Sequence, residues 1–482
     1  MPKRATITFF CKHCGHEAAR WEGKCPACHE WDALVEAPSE KQPKGKSSGS
    51  SRRTLTSSSN LKPLREHARE KLPRIAVPMS EFHRVLGGGI VPGGSVLIGG
   101  EPGIGKSTLM LQVLGALVSP VSADGKVPAR SCVYITGEEA PSQIAARGLR
   151  LAGATPVGGR ASGFESDHLK LASETDLERI LDLLDTERPQ VAVIDSVQTL
   201  RDANVNSAPG SISQVRECAM ALVDAARQFN CTVFLVGHVT KEGAIAGPRV
   251  LEHIVDTVLN FEGETRLDLR VLRASKNRFG STDEVGFFEM TQGGLLEVPD
   301  PSAALLDRDG AADKGPGSSI GALCEGSRVL LVELQGLTVP VPGGGSPRRR
   351  ASGVDANRLA QLLAVLETKA GVPFNTLDVF ASAAGGFRVE EPAADLPLAL
   401  ALASIATGRE VREGLVSAGE IGLGGEVRPV PRMEARIAEA RRLGFKIILL
   451  PARGRTQLPA QIEGTRILRA RTVREALALG LA

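Results

Sequence analysis

No stretch of this 482-residue sequence approaches the roughly 20 apolar residues a bilayer-spanning helix needs. The start, MPKRATITFFCKHC, has neither the apolar segment nor the small-residue cleavage site of a signal peptide. The expected compartment is therefore the cytoplasm, with no membrane partner. Charge imbalance is also lacking: 58 Lys+Arg against 55 Asp+Glu leave a net charge of +3. Whole-molecule attraction to nucleic acid is excluded, and any nucleic-acid surface has to be local. Histidine stops at His253, so the last part of the chain cannot build a Ser-His-Asp triad from its own residues. Tryptophan occurs only at Trp21 and Trp31, and no internal repeat is present.

What is present is ordinary for a globular protein, at 42% hydrophobic and 23% charged residues, and the length calls for two or three domains. Residues 37–72 are rich in Ser, Lys, Arg and Pro with little to bury, and read as a flexible basic linker. From 73 to 298, short β-branched runs alternate with helix-length amphipathic stretches, the pattern of a parallel sheet covered by helices. A Pro, Gly and Asp-rich break at 299–319 separates this from a mixed segment at 320–482. Four of the eight cysteines crowd the first thirty residues, ahead of the linker; Cys132, Cys218, Cys231 and Cys324 are scattered and read as small buried hydrophobes.

In CKHCGHEAARWEGKCPACHEW, Cys11 and Cys14, then Cys25 and Cys28, form two C-x-x-C knuckles ten residues apart. Each can fold two thiolates around one face of a tetrahedral ion, and Zn2+ is the natural occupant, against a redox pair or free thiols. His13, His16 and His29 lie close by and read as surface residues. A 1–36 module this small cannot close a core without metal, so Trp21 and Trp31 are expected to pack over the site, which with four thiolates is closed and structural.

The central segment carries SVLIGGEPGIGKSTLMLQVLGALV. A strand over 95–99 runs into Gly100-Glu101-Pro102-Gly103-Ile104-Gly105-Lys106-Ser107-Thr108, and an apolar helix follows at once. The glycines let backbone N–H groups curl around a β-phosphate, Lys106 reaches the β- and γ-phosphates of ATP, and the Ser107 hydroxyl ligates Mg2+. In VAVIDSVQT, Asp195 ends a buried strand where open α/β sheets put ligands, and is expected to hold Mg2+ through water. In VYITGEEAPSQ, Glu138 follows another strand and is the candidate for orienting the attacking water, with Glu139 pointing elsewhere. His238, after the strand at 232–236, is either a structural histidine or a sensor of the γ-phosphate.

These motifs resemble the RecA-like ATPase core. Glu138 followed five residues later by Gln143 is similar to hexameric DnaB-type helicases, and VIDSVQT resembles RecA. The fuller set, comprising the four-cysteine module, GEPGIGKST, YITGEE, GHVTKEGAIAGPRVLEHIVD, KNRFG and a Lon-protease-like tail, resembles the bacterial RadA (Sms) DNA repair family over nearly the whole chain outside the linkers. The fold this implies is α/β: a RecA-like P-loop ATPase core with a small N-terminal zinc ribbon and an α+β Lon-protease-like C-terminal domain. The activity it implies is that of a DNA-dependent ATPase assembling as a homo-oligomeric ring, a hexamer. Such a ring would move on single-stranded DNA and promote branch migration of branched DNA in homologous recombination, with recombinase or replication proteins as partners.

The resemblance also assigns residues. In RecA-like rings the loops matching 201–211 and 240–249 line the channel, which makes Lys241 and Arg249 the cations for DNA phosphates, with no aromatic stacking platform and hence little sequence preference. In DnaB-like rings a Lys-x-Arg pair matching Lys276 and Arg278 reaches the γ-phosphate held by the adjacent subunit; the alternative is a surface ion pair with Asp283 or Glu284. In the Lon-like tail Ala393 falls where the serine nucleophile should be and Glu434 where the lysine base should be, so both members of the dyad are lost. Arg348, Arg349 and Arg350 in SPRRRAS form a local basic cluster that is either a DNA contact or an exposed loop. Competing readings are an ATP-regulated scaffold without unwinding activity and an ATP-dependent protease with a divergent site.

Overall fold

The computed structural model describes residues 73–119, 130–153, 163–237, 249–263, 269–306, 315–341, 345–384, 387–453, 459, 461–462 and 464–482, together with short stretches of 9–36. The chain separates into two compact units, 1–71 and 72–482. In the first, β1 (Phe9–Cys11) pairs antiparallel with both β2 (Glu17–Ala18) and β3 (Leu34–Glu36). Cys14, Cys25, Cys28 and the Cys11 side chain lie outside the described residues, as do His13, His16, His29 and the linker at 37–72. Trp21 and Trp31 are 54% and 72% exposed and flank Gly23, and the Lys24 ammonium stands 5.6 Å over the Trp31 ring, a cation–π contact; the knuckles these rings are expected to cover lie outside the described residues.

The second unit holds two large sheets. Strands β4 (Ser95–Gly100), β5 (Cys132–Thr136), β6 (Leu169–Ser173), β7 (Val191–Asp195), β8 (Thr232–Val236) and β9 (Thr257–Glu262) are mutually parallel, in the order β9-β4-β8-β7-β5-β6. Their residues are buried on both faces in β4, β5, β7 and β8, which is why these runs read as continuously apolar. The β9 edge continues antiparallel through β10 (Leu269–Asn277), β11 (Val285–Thr291) and β12 (Gly294–Glu297).

A mixed sheet follows, built from β13 (Ser318–Glu325), β14 (Arg328–Pro340), β15 (Arg349–Ser352), β16 (Leu377–Ala383) and β17 (Leu415–Ser417). The small pair β18 (Glu420–Ile421) and β19 (Val427–Arg428) stands apart, and β20 (Ile447–Pro451), β21 (Gln461–Ile462) and β22 (Thr465–Ala470) complete the large sheet. The helix Asp395–Thr407, apolar on every side, is buried against β13 and β14.

One apolar core runs through both sheets: Val285 and Phe287 of β11 and Leu305 and Leu306 pack with the interior of the C-terminal sheet. Polar pairs pin the seam. Glu81, fully buried, accepts from Arg328 Nη1 at 2.8 Å, Arg84 Nη2 at 3.1 Å and the Phe287 amide at 3.1 Å. The β13–β14 turn grips residues 283–284: Ser327 N donates to the Asp283 carbonyl and Ser327 Oγ to Glu284 Oε2 at 2.9 Å, while Arg432 meets both Asp283 and the Gly326 carbonyl. Arg442 holds Asp300 with two bonds of 2.6 and 2.8 Å. Removing one partner of a buried pair leaves an uncompensated charge. Arg328→Met should therefore destabilise this unit by about 3 kcal/mol, visible as a lower thermal midpoint. An unchanged midpoint would mean that Arg84 and the Phe287 amide suffice for Glu81.

Candidate active site

The C-terminal ends of the parallel strands bring the predicted residues to one edge. Register puts Ile98, Val236, Asp195 and Thr136 level across β4, β8, β7 and β5, so the loop after Gly100, the Asp195 carboxylate and Glu138 rise from adjoining strand ends. The loop curls because Gly103 and Gly105 adopt left-handed backbone, with φ of +78° and +112°. Gly100 is required by proximity, since a Cβ there would lie 2.5 Å from the Phe261 carbonyl oxygen. The helix Lys106–Val118 starts at once, its first amides facing the curl. This cradle of backbone N–H groups with Lys106 behind it fits a nucleotide phosphate.

Lys106 is 4% exposed, and its Nζ donates to the carbonyls of Gly100 at 2.8 Å and Glu101 at 2.9 Å. Burial pushes its pKa down to about 8, against the opposing pull of Asp195, Glu138 and Glu101. Ser196 Oγ donates to Glu138 Oε1 at 2.5 Å and so holds that carboxylate beside Asp195. Glu139 turns the other way, into an ion pair with Arg147 at 2.7 Å. Tyr134 donates its hydroxyl to Asp195 Oδ2. Burial first, then the Asp195 charge, raises its pKa far above the phenol range and keeps the proton on oxygen. The oxygen ligands offered by Ser107 and Asp195 suit a hard cation such as Mg2+. His238 and Lys241 lie outside the described residues, as does the Arg249 side chain.

The first candidate DNA loop, 201–211, is an organised turn. The buried Gln214 amide donates to the carbonyls of Asp202, Val205 and Ser207, each at 3.0 Å. The loop adds bonds of its own, with Asn204 donating from N and Nδ2 to Asp202 Oδ1 at 2.8 and 3.0 Å.

Lys276 and Arg278 are not gathered to the same edge. Because β10 runs against β9, Leu272 stands level with Phe261 and Gly100, whereas Asn277 stands beside Thr257 and the start of β4. Six residues of strand separate Leu272 from Arg278, about 20 Å at the strand rise, so Arg278 cannot reach its own chain's phosphate loop. Lys276 Nζ caps the helix Arg249–Ile254, donating to the carbonyls of Glu252 at 2.6 Å and Val255 at 2.8 Å. Burial, then Arg278, lowers its pKa. Arg278, half exposed, pairs with Asp256 at 3.0 Å, and Asp256 is itself fixed by Ser95 N and Oγ. The surface-pair alternative therefore needs correcting: Asp283 pairs with Arg432, Glu284 accepts from Ser327, and the partner of Arg278 is Asp256. Gly280 completes this corner because its Cα packs against Gly87, where a Cβ would find it at 3.1 Å.

In the C-terminal sheet Ala393 is fully buried in the turn Pro392–Ala394, and Glu434 opens the helix Met433–Arg442 on its exposed side. Ion pairs occupy the surroundings: Arg358 grips Asp395, and the fully buried Arg436 grips Glu391. The basic cluster divides. Arg348 and Arg350 are exposed, but Arg349 turns in to donate to the carbonyls of Phe374 and Leu377, so it is a clamp for the edge of the sheet and not a free cation. Sequence reading missed Tyr134, Ser196 and Asp256. The one available signal was Tyr134, a residue with a polar tip inside an otherwise aliphatic strand.

Residues 9–36 match the rubredoxin metal binding domain, 67–244 the AAA domain and 374–481 the Lon protease (S16) C-terminal proteolytic domain. Over the full length of both chains the sequence is 45% identical to the DNA repair protein RadA of Halalkalibacterium halodurans. It is 46% identical to that of Pseudomonas aeruginosa over 93% of each chain, and 42% identical to that of Escherichia coli over 94% of this chain and 93% of the other. With identity at this level over nearly the whole of each chain, the chain belongs to the DNA repair protein RadA family.

Proposed function

We propose that this protein is a DNA-dependent ATPase of DNA repair and homologous recombination. It works in the cytoplasm as a hexameric ring that moves on single-stranded DNA and promotes branch migration. The observation that carries this reading is the division of the catalytic groups. Lys106, Ser107, Glu138 and Asp195 share one edge of the sheet, while Lys276 and Arg278 stand about 20 Å away at the opposite edge. A chain built this way completes a site only against another copy, as a ring of RecA-like subunits does.

Within a site, Lys106 and the loop amides bind the phosphates, Ser107 and Asp195 hold Mg2+, and Glu138, steadied by Ser196, takes the proton of the attacking water. The ion supplies positive charge that offsets charge developing on the phosphoryl oxygens. Arg278 of the neighbouring copy adds a planar, permanently charged group, and Lys276 a point charge. His238 reports the γ-phosphate to the loop after it, where Lys241 and Arg249 meet DNA phosphates; Arg348 and Arg350 extend that contact, with Arg349 withdrawn from it. The four cysteines bind Zn2+ structurally, and the ribbon serves recombinase or replication partners. Ala393 and Glu434 leave the Lon-like domain without a nucleophile or base, so it acts in assembly and not in proteolysis.

The test measures ATP hydrolysis with and without single-stranded DNA, branch migration of a forked substrate, and casein degradation. DNA-stimulated hydrolysis, fork processing and intact casein are expected. Hydrolysis indifferent to DNA with no fork processing would replace this reading with the scaffold; casein cleavage would replace it with the protease.

A further inference from the structure

Tyr134 is the one tyrosine in the sequence, and it lies 1% exposed in β5, where the register sets Thr136 beside Asp195 and Tyr134 beside Val193. From there its hydroxyl spans forward and donates to Asp195 Oδ2. A carboxylate held at one oxygen in this way keeps a fixed orientation for the water it binds.

We propose that Tyr134 is a positioning residue for the Mg2+ site, holding one oxygen of Asp195 so that the carboxylate is set before the ion arrives. The proposal rests on the reading of Ser107 and Asp195 as the Mg2+ site. Removing a group that orients metal ligands costs about ten-fold or more in metal affinity. Phenylalanine keeps the ring and removes the hydroxyl.

The experiment follows equilibrium binding of ADP to the full chain while Mg2+ is titrated, for the parent, Tyr134→Phe and Asp195→Ala. In EDTA, Tyr134→Phe should bind ADP as the parent does and melt within a degree or two of it. Its Mg2+ midpoint for ADP binding should rise about ten-fold, and ATP turnover lost at low Mg2+ should return when Mg2+ is in excess. A Mg2+ midpoint equal to the parent's would overturn the proposal. So would a loss of ADP binding in EDTA of the same size, which marks a merely structural tyrosine. Should Asp195→Ala leave the Mg2+ midpoint unmoved, the assignment of the metal site itself falls, and the tyrosine's role with it.

Discussion

Arg278→Ala should lower ATP turnover about a thousand-fold, in the range set by arginines acting across an interface, while the altered chain still binds nucleotide. Distance is the reason. The guanidinium cannot reach its own phosphate loop, so whatever it does for catalysis it does next door. It is also free to do so. Asp256 is buried, but it keeps its bonds from Ser95 N and Oγ and its 3.6 Å approach to Arg227 when the half-exposed Arg278 leaves, so its charge is not left unpaired. Mixed assemblies supply the decisive measurement. Arg278→Ala subunits hold an intact nucleotide site, and Lys106→Ala subunits lend an intact arginine. Each alone should be nearly inactive, yet in equal mixtures roughly a quarter of interfaces join an intact site to an intact arginine, and hydrolysis should partly return. If verified mixed assemblies recover nothing, the residue acts only through Asp256 as part of the fold.

Glu138→Gln should bind ATP like the parent and hydrolyse it some 100- to 10,000-fold more slowly. The substitution is unusually clean here because the glutamine amide oxygen can still accept from Ser196 Oγ, so the side chain stays in place and only its basicity is lost. Glu139→Gln is the matched control. It weakens a pair with Arg147 on the other side of the turn and should leave turnover near the parent value. Phosphate release and retained nucleotide, measured on the same preparation, separate the two effects. Normal turnover by Glu138→Gln would remove this residue from the mechanism and make Glu139 the next candidate.

The phosphate loop was legible in sequence because its chemistry is local. A buried strand, two glycines in left-handed backbone and a helix start lie within about a dozen residues, and each leaves its own signature. Asp195 and Glu138 could be found for a similar reason, since each follows a recognisable apolar strand. The unread part is what holds them. Ser196 lies 58 residues from Glu138 and Tyr134 61 residues from Asp195, and only strand order brings them together. The placement of Lys276 and Arg278 was equally hidden. Apolar patterning announces a strand but not its direction, and it is the antiparallel course of β10 that carries these cations away from the phosphate loop.

The seam between the two sheets has a genetic consequence. The break at 299–319 looks like a natural place for a chain to end, yet Val285 and Phe287 on the near side are buried by residues on the far side. A nonsense mutation in that stretch would not yield an intact nucleotide-binding domain that merely lacks its tail. It would lay bare an apolar strand face and leave Glu81 facing water without Arg328, and such surfaces drive aggregation. Truncation alleles should therefore behave as complete losses with little protein accumulating. Separation of the roles of the two sheets is better sought in point changes on the outer face of the second.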